Sequence, residues 1–185
     1  MNSESNIKNI SGVKLAVPYY SQFLDVDDTY WMPRACGMAC MKMVLDFYEV
    51  NTAPLDELIK KGSEEGGYGP WGWVHDYFVA LAKEYGLEAR REEKMDPEKG
   101  MVDIVDALRH GYPVIVSAVK YILGQTKFHM VVITGYEEDR GAITGLYYHD
   151  PESTTREGGQ HLFVDKETFM REWRKMAILI QPENV

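Results

Sequence analysis

Two cysteines, Cys36 and Cys40, are all that the 185 residues contain. Four positions apart on one predicted helix, they form no disulfide framework of the kind that staples small secreted folds, and both read as free thiols. Their spacing is not C-x-x-C, and two ligands fall short of the four a structural zinc ion takes; no metal and no cofactor is expected. No run of about 18 apolar residues occurs, and "MNSESNIKNISGVKLAVPYY" at the N-terminus lacks a charged leader followed by an apolar stretch. A soluble cytoplasmic protein with no membrane partner is therefore expected. Basic residues are the minority, 20 against 29 acidic, and the net charge of −9 offers no basic stripe for phosphate, which argues against nucleic acid as a partner. Internal repeats and low-complexity stretches are absent as well.

What is present reads as globular. Hydrophobic residues make up 45% and charged residues 26%, close to the average of folded domains, and the length suits one domain. Residues 1–12, polar and rich in Asn and Ser, are expected as a loose N-terminal arm and 13–185 as a single domain; the oligomeric state is left open. Helical spacing predicts a helix opening at Cys36, with Met41, Val44, Leu45 and Tyr48 as its buried stripe. Further helices are predicted at 54–61, closed by Gly62, over "WGWVHDYFVALAKEYG" with Trp73 on the stripe and Gly86 as stop, and at about 97–110 between Asp96 and Gly111. From 112 the period changes. "PVIVSAV" (113–119), "KFHMVVITGYE" (127–137), "AITGLYYHD" (142–150), "QHLFV" (160–164) and "KMAILIQ" (175–181) read as strands, with a short helix started by Asp165. Helices followed by a mostly antiparallel sheet is an α+β layout.

The first turn of the Cys36 helix carries the chemical interest. A helix N-terminus bears partial positive charge and unpaired N–H groups, so a thiol there ionises more easily and a developing oxyanion finds donors. A small buried hydrophobe is the competing reading of Cys36. Thiolate catalysis also needs an imidazole, a group to fix it and oxyanion donors. His129 lies inside "FHMVVITGY", on the face of Val131 and Ile133, where a polar ring is either a satisfied core histidine or a proton carrier. Asp150 ends the next strand before Pro151, either as a turn former or within reach of that ring. Gln22, in "PYYSQF", is either a surface amide or an oxyanion donor. His75, His110, His149 and His161 read as structural or peripheral.

"VPYYSQF", "ACGMACMKMVLDFY", "KFHMVVITGYEED" and "YYHDPE" together resemble the papain-like cysteine peptidases of the bacteriocin-leader-processing type, cysteine peptidase family thirty-nine, and especially stand-alone relatives. The resemblance spans about residues 16–181. It implies a papain-like cysteine peptidase fold, with the nucleophile-bearing helix packed on the sheet, and a Cys-His-Asp triad that acts on a peptide or protein substrate through an acyl-enzyme. Matched motif to motif, the catalytic set falls on Gln22, Cys36, His129 and Asp150. Met38 stands where the family often has Pro or a small residue, and Cys40 where a small apolar residue is usual.

Substrate contacts are less defined. "GGYGPWGWVHDY" (66–77), with Trp71 and Trp73, either lines a cleft or packs into the core, and "YILGQTK" (121–127), with Gly124, borders the same cleft in the first case. Two further readings compete with hydrolysis. One is a non-catalytic peptide- or protein-binding module on a papain-like shell; the other is a redox or metal pair made by Cys36 and Cys40.

Overall fold

The β-branched runs beyond Gly111 build the centre of one large sheet. In the computed structural model, which describes residues 10–122 and 125–183, the chain forms β1 (Ile10–Lys14), α1 (Cys36–Phe47), α2 (Leu55–Glu64), the short β2 (Tyr68–Gly69) and β3 (Gly72–Trp73), α3 (His75–Glu84) and β4 (Leu87–Glu92). There follow α4 (Pro97–Arg109), β5 (Val114–Ile122), β6 (Gln125–Asp139), β7 (Ala142–His149), β8 (Leu162–Asp165), α5 (Lys166–Glu172) and β9 (Trp173–Pro182). The sheet order is β4-β9-β5-β6-β7-β8 with β1 added against β6, and each pairing is antiparallel. β2 and β3 pair separately as a small hairpin. The layout is the expected α+β one, and among the described residues no helix is long and apolar enough to cross a membrane.

Both faces of the sheet are covered, which is why β5, β6 and β9 read as nearly continuous apolar runs. On one face Ile115, Met130, Val132, Ile178 and Ile180 pack with Met38, Met41, Val44 and Leu45 of α1 and with α2 and α3. On the other, Val114, Val116, Val131, Ile133 and Ala177 pack with Ile104, Val105 and Leu108 of α4 and with Phe169 of α5. β6 is the pivot: α1 lies on its Met130 side, while His129 shares the Val131 side.

Several element ends follow their sequence signals. Asp96 caps α4 by accepting from the Lys99 N–H at 2.9 Å, and Gly86 and Gly111, at φ +74° and +84°, take up the left-handed stop that glycine allows most readily. α2 differs from expectation. It runs through Gly62 to Glu64; a Cβ at Gly62 would meet the Trp73 ring at 2.8 Å, so this glycine serves close packing rather than a stop, and Gly66, at φ +79°, follows the helix end. Trp73 belongs to β3, and α3 starts only at His75. Two strands of the large sheet have no counterpart in the expectations. β4, "LEARRE", is an edge strand whose charges face solvent, and β1 begins at Ile10, so residues 10–12 are paired strand rather than part of a loose arm; residues 1–9 lie outside the described residues.

Candidate active site

Cys36 opens α1, and Ala35 before it supplies no capping side chain, so the positive end of the helix is presented at the thiol. The next residue explains how the helix comes so close to the sheet. A Cβ at Gly37 would stand 2.7 Å from the Phe78 ring and 3.0 Å from Met130 Sδ, well inside contact distance. Only glycine lets the first turn sit against α3 and β6 at once, and Cys36, half-buried, is carried to the sheet with it.

β6 supplies the imidazole. His129 is only 2% exposed, and its Nε2 lies 2.6 Å from Asp150 Oδ1. Burial pulls the imidazole pKa down, but the hydrogen bond to Asp150 and the influence of Cys36 and Asp150 nearby outweigh it and raise the value to about 9. The other ring nitrogen, Nδ1, is buried and makes no hydrogen bond among the described residues. Asp150 is itself fixed on every side. Its Oδ1 also accepts the Glu152 N–H at 2.8 Å, its own N–H donates to the Gly159 carbonyl at 2.7 Å, and its carbonyl accepts from Tyr19 Oη at 2.8 Å.

Gln22 arrives from the segment after β1. Its N–H donates to the Pro151 carbonyl at 2.8 Å, Ser21 Oγ donates to the Ser153 carbonyl at 2.5 Å, and Tyr20 Oη donates to Asp46 Oδ2 at 2.6 Å. The stretch 20–22 is thus pinned both to α1 and to the loop that carries Asp150. The Gln22 side chain is fully buried, yet neither amide atom has a hydrogen-bond partner among the described residues. Buried amides are rarely left so, and an unmet N–H beside Asp150's loop is a donor awaiting an acceptor.

A family profile described as the Peptidase C39 like family matches residues 14–179. The chain belongs to the Peptidase C39 like family. Solved structures similar to this C39-like chain include a double glycine motif protease from an AMS/PCAT transporter in complex with the leader peptide, at 22% identity and TM-score 0.62, covering 92% of this chain and 95% of that one. The peptidase domain of Streptococcus ComA, a bi-functional ABC transporter involved in a quorum-sensing pathway, is similar at 24% identity and TM-score 0.57, over 82% and 93% of the two chains. The peptidase domain of Streptococcus mutans ComA is similar at 23% identity and TM-score 0.51, over 87% and 99%. At these identities the likeness speaks for the fold, which is papain-like. No curated protein matches the chain.

The aromatic segment of this C39-like protein divides. Trp73 is 9% exposed, packs against Trp31, Tyr68, Tyr77 and Phe78 and donates its indole N–H to the Arg34 carbonyl at 2.8 Å. It supports the approach to Cys36 as a core residue and does not present its ring to a cleft. Trp71, between β2 and β3, is fully exposed. Gly124 lies outside the described residues.

One acidic neighbour of the ring was not foreseen. Glu152 Oε2 lies 3.9 Å from His129 Nδ1; its place two residues after Asp150 in "YYHDPE" was the available signal. Of the other histidines, His149 is buried, donates from Nε2 to the Val17 carbonyl at 2.9 Å and accepts the His161 N–H on Nδ1 at 3.0 Å. Burial lowers its pKa, and it stays neutral as a brace beneath the Asp150 strand. Among the described residues no cluster of three or more His, Cys, Asp or Glu side chains could hold a metal ion.

Proposed function

We propose that this chain is a cysteine peptidase-like hydrolase that cleaves a peptide or amide bond through Cys36, His129 and Asp150. The observation that carries the reading is the His129 ring, held by Asp150 at 2.6 Å through Nε2 and raised to a pKa of about 9 with Cys36 as a contributor. With Nε2 engaged, Nδ1 is the nitrogen left to exchange a proton with the sulfur.

In the first half-reaction the Cys36 thiolate adds to the substrate carbonyl carbon, and the oxyanion takes hydrogen bonds from the Gln22 amide and the helix N-terminus. His129 gives its proton to the amine as the C–N bond breaks, which leaves a thioester on Cys36. Water then adds to the thioester with His129 as base, and the carboxylic acid and the thiol are released. Asp150 holds the imidazole orientation and favours its charged form. The leader peptide bound to the transporter protease supports a peptide as the substrate class, and two cysteines held in no disulfide suit a reducing compartment such as the cytoplasm.

The test is digestion of a mixed peptide library followed by mass spectrometry, with Cys36→Ala as the control. Cleavage by the wild-type chain and none by the variant is the expected result. Equal cleavage by both would overturn the reading.

A further inference from the structure

His129 and Asp150 also form part of the wall of a cavity of about 280 Å³. Its other walls are apolar, from Val131, Ile133, Tyr148, Val164 and Phe169, and Glu172 closes it. Tyr148, Val164 and Thr168 are half-buried, so the space reaches solvent. Whole small-molecule sites run from about 300 to 1,000 Å³; this one suits a single long side chain.

Glu172 is out of place as a structural residue. It is 7% exposed and is the last residue of α5, where the helix dipole disfavours negative charge. Oε1 accepts from Arg171 Nε at 2.7 Å, whereas Oε2 is buried with no hydrogen-bond partner among the described residues. Leaving a carboxylate oxygen unmatched in a low-dielectric site is costly, and a donor brought in from outside would offset that cost.

We propose that this cavity is a specificity subsite, and that Glu172 selects a peptide substrate carrying a basic side chain, arginine before lysine, next to the bond that is cut. The inference rests on the peptidase reading above and adds the substrate's chemistry. An aliphatic stem covers the apolar wall, the positive head meets the Glu172 carboxylate, and Tyr148 and Phe169 offer aromatic faces on which a planar guanidinium stacks better than an ammonium. Closeness to the cut is inferred from His129 and Asp150, which the peptidase reading places at the reacting bond and which also line this cavity. The chain's net charge of −9 steers a cationic peptide in the same direction.

The experiment uses the whole chain and internally quenched hexapeptides in which each position in turn is Arg, Lys, norleucine or Glu. At one position Arg is expected to raise kcat/KM over norleucine by about tenfold or more. In Glu172→Gln that ratio falls towards one, and in Glu172→Lys the preference at that position passes to Glu, a gain that a misfolded protein cannot produce. Equal rates for Arg and norleucine at every position, or an Arg preference kept by Glu172→Gln, overturns the proposal. Should no peptide be cut, the peptidase reading fails and the subsite is decided by binding. Fluorescence anisotropy is then expected to show the Arg peptide bound about tenfold tighter than the norleucine peptide by Cys36→Ala, and no difference in Cys36→Ala with Glu172→Gln. Equal binding by Cys36→Ala overturns the subsite.

Discussion

The N–H of Gln22 donates to the carbonyl of Pro151 at 2.8 Å, one residue beyond the carboxylate that holds His129. The segment that brings the amide and the loop that brings Asp150 are therefore one mechanical unit, and the amide's position is set by backbone rather than by its own side-chain bonds. Because neither Gln22 amide atom has a partner among the described residues, the side chain works against stability as it stands. Gln22→Met, similar in shape and apolar, should lower turnover by about 100- to 1000-fold, the usual loss for one oxyanion donor. It should leave the melting temperature unchanged or raised. A peptide-cleavage assay beside a thermal melt checks both halves, and a drop in melting temperature with rate preserved would contradict them.

The imidazole fixes the pH dependence. Burial opposes charge on His129, but Asp150 and Cys36 raise its pKa to about 9, above the ordinary value of about 6.5. A raised value means that the folded state holds the proton more tightly, so the stabilisation is complete below about pH 6.5 and fades as pH climbs through about 9. On the proposed mechanism the same proton leaves with the amine, so kcat/KM should fall above about pH 9. Asp150→Asn removes the fixed charge and should move that alkaline limb to lower pH, which a pH-rate profile reads directly.

Gly37 should tolerate no side chain. A Cβ there would press on the Phe78 ring at 2.7 Å, and Phe78 is fully buried, so α1 has to shift. Gly37→Ala is expected to cost about 1–3 kcal/mol, as overpacking does, and to lower activity beyond that by displacing Cys36. Denaturant titration and cleavage rate together test it.

Cys40 sits one turn along the same helix, buried, and burial followed by the charges of Cys36 and Asp150 pushes its thiol well up. A thiol kept protonated is neither nucleophile nor redox partner. Cys40→Ala should cost about 1 kcal/mol of stability and leave cleavage close to wild type, whereas a redox pair would lose its function altogether. An electrophilic probe should label Cys36 alone.

Tyr20 Oη, Lys42 Nζ and Thr52 Oγ1 all donate to Asp46, at 2.6, 2.8 and 2.8 Å. Burial pushes the Asp46 pKa up, but these bonds outweigh it and the value is lowered. A lowered value means that the stabilisation holds above about pH 4 and is lost as pH falls further. Tyr20→Phe should cost about 1.5–3 kcal/mol, the range for a hydrogen bond to a charged group, with the deficit shrinking in acid; denaturant midpoints at pH 7 and pH 3 check this.

Much of this was legible in the residues. The stripe of α1, the cap at Asp96 and the change to β-branched runs after Gly111 are local signals, and local sterics and burial kept them. Of the four residues expected at the site, Cys36 and His129 stand out locally, as a thiol at a helix start and a polar ring inside an apolar strand, whereas Gln22 and Asp150 read equally as a surface amide and a turn former and were grouped with them as a set and by the resemblance. What escaped was decided by partners distant in sequence. "LEARRE" becomes a strand because β9 offers it an edge, residues 10–14 because β6 does, and Gly62, expected as a stop, instead gives the Trp73 ring its room. Trp73 illustrates the limit on the site: its composition allowed cleft or core, and the Arg34 carbonyl decided for core. Glu152 and Glu172 look like surface acids until the fold turns them inward.

The place of β9 in the sheet has a consequence for synthesis. β4 touches the rest of the sheet only through β9, which lies between it and β5. A chain emerging from the ribosome thus carries its thiol, imidazole and carboxylate for some time before residues 173–182 arrive to join the sheet's two parts. Completion of the fold waits for that closing strand, so β4 can join the sheet only once residues 173–182 have been made.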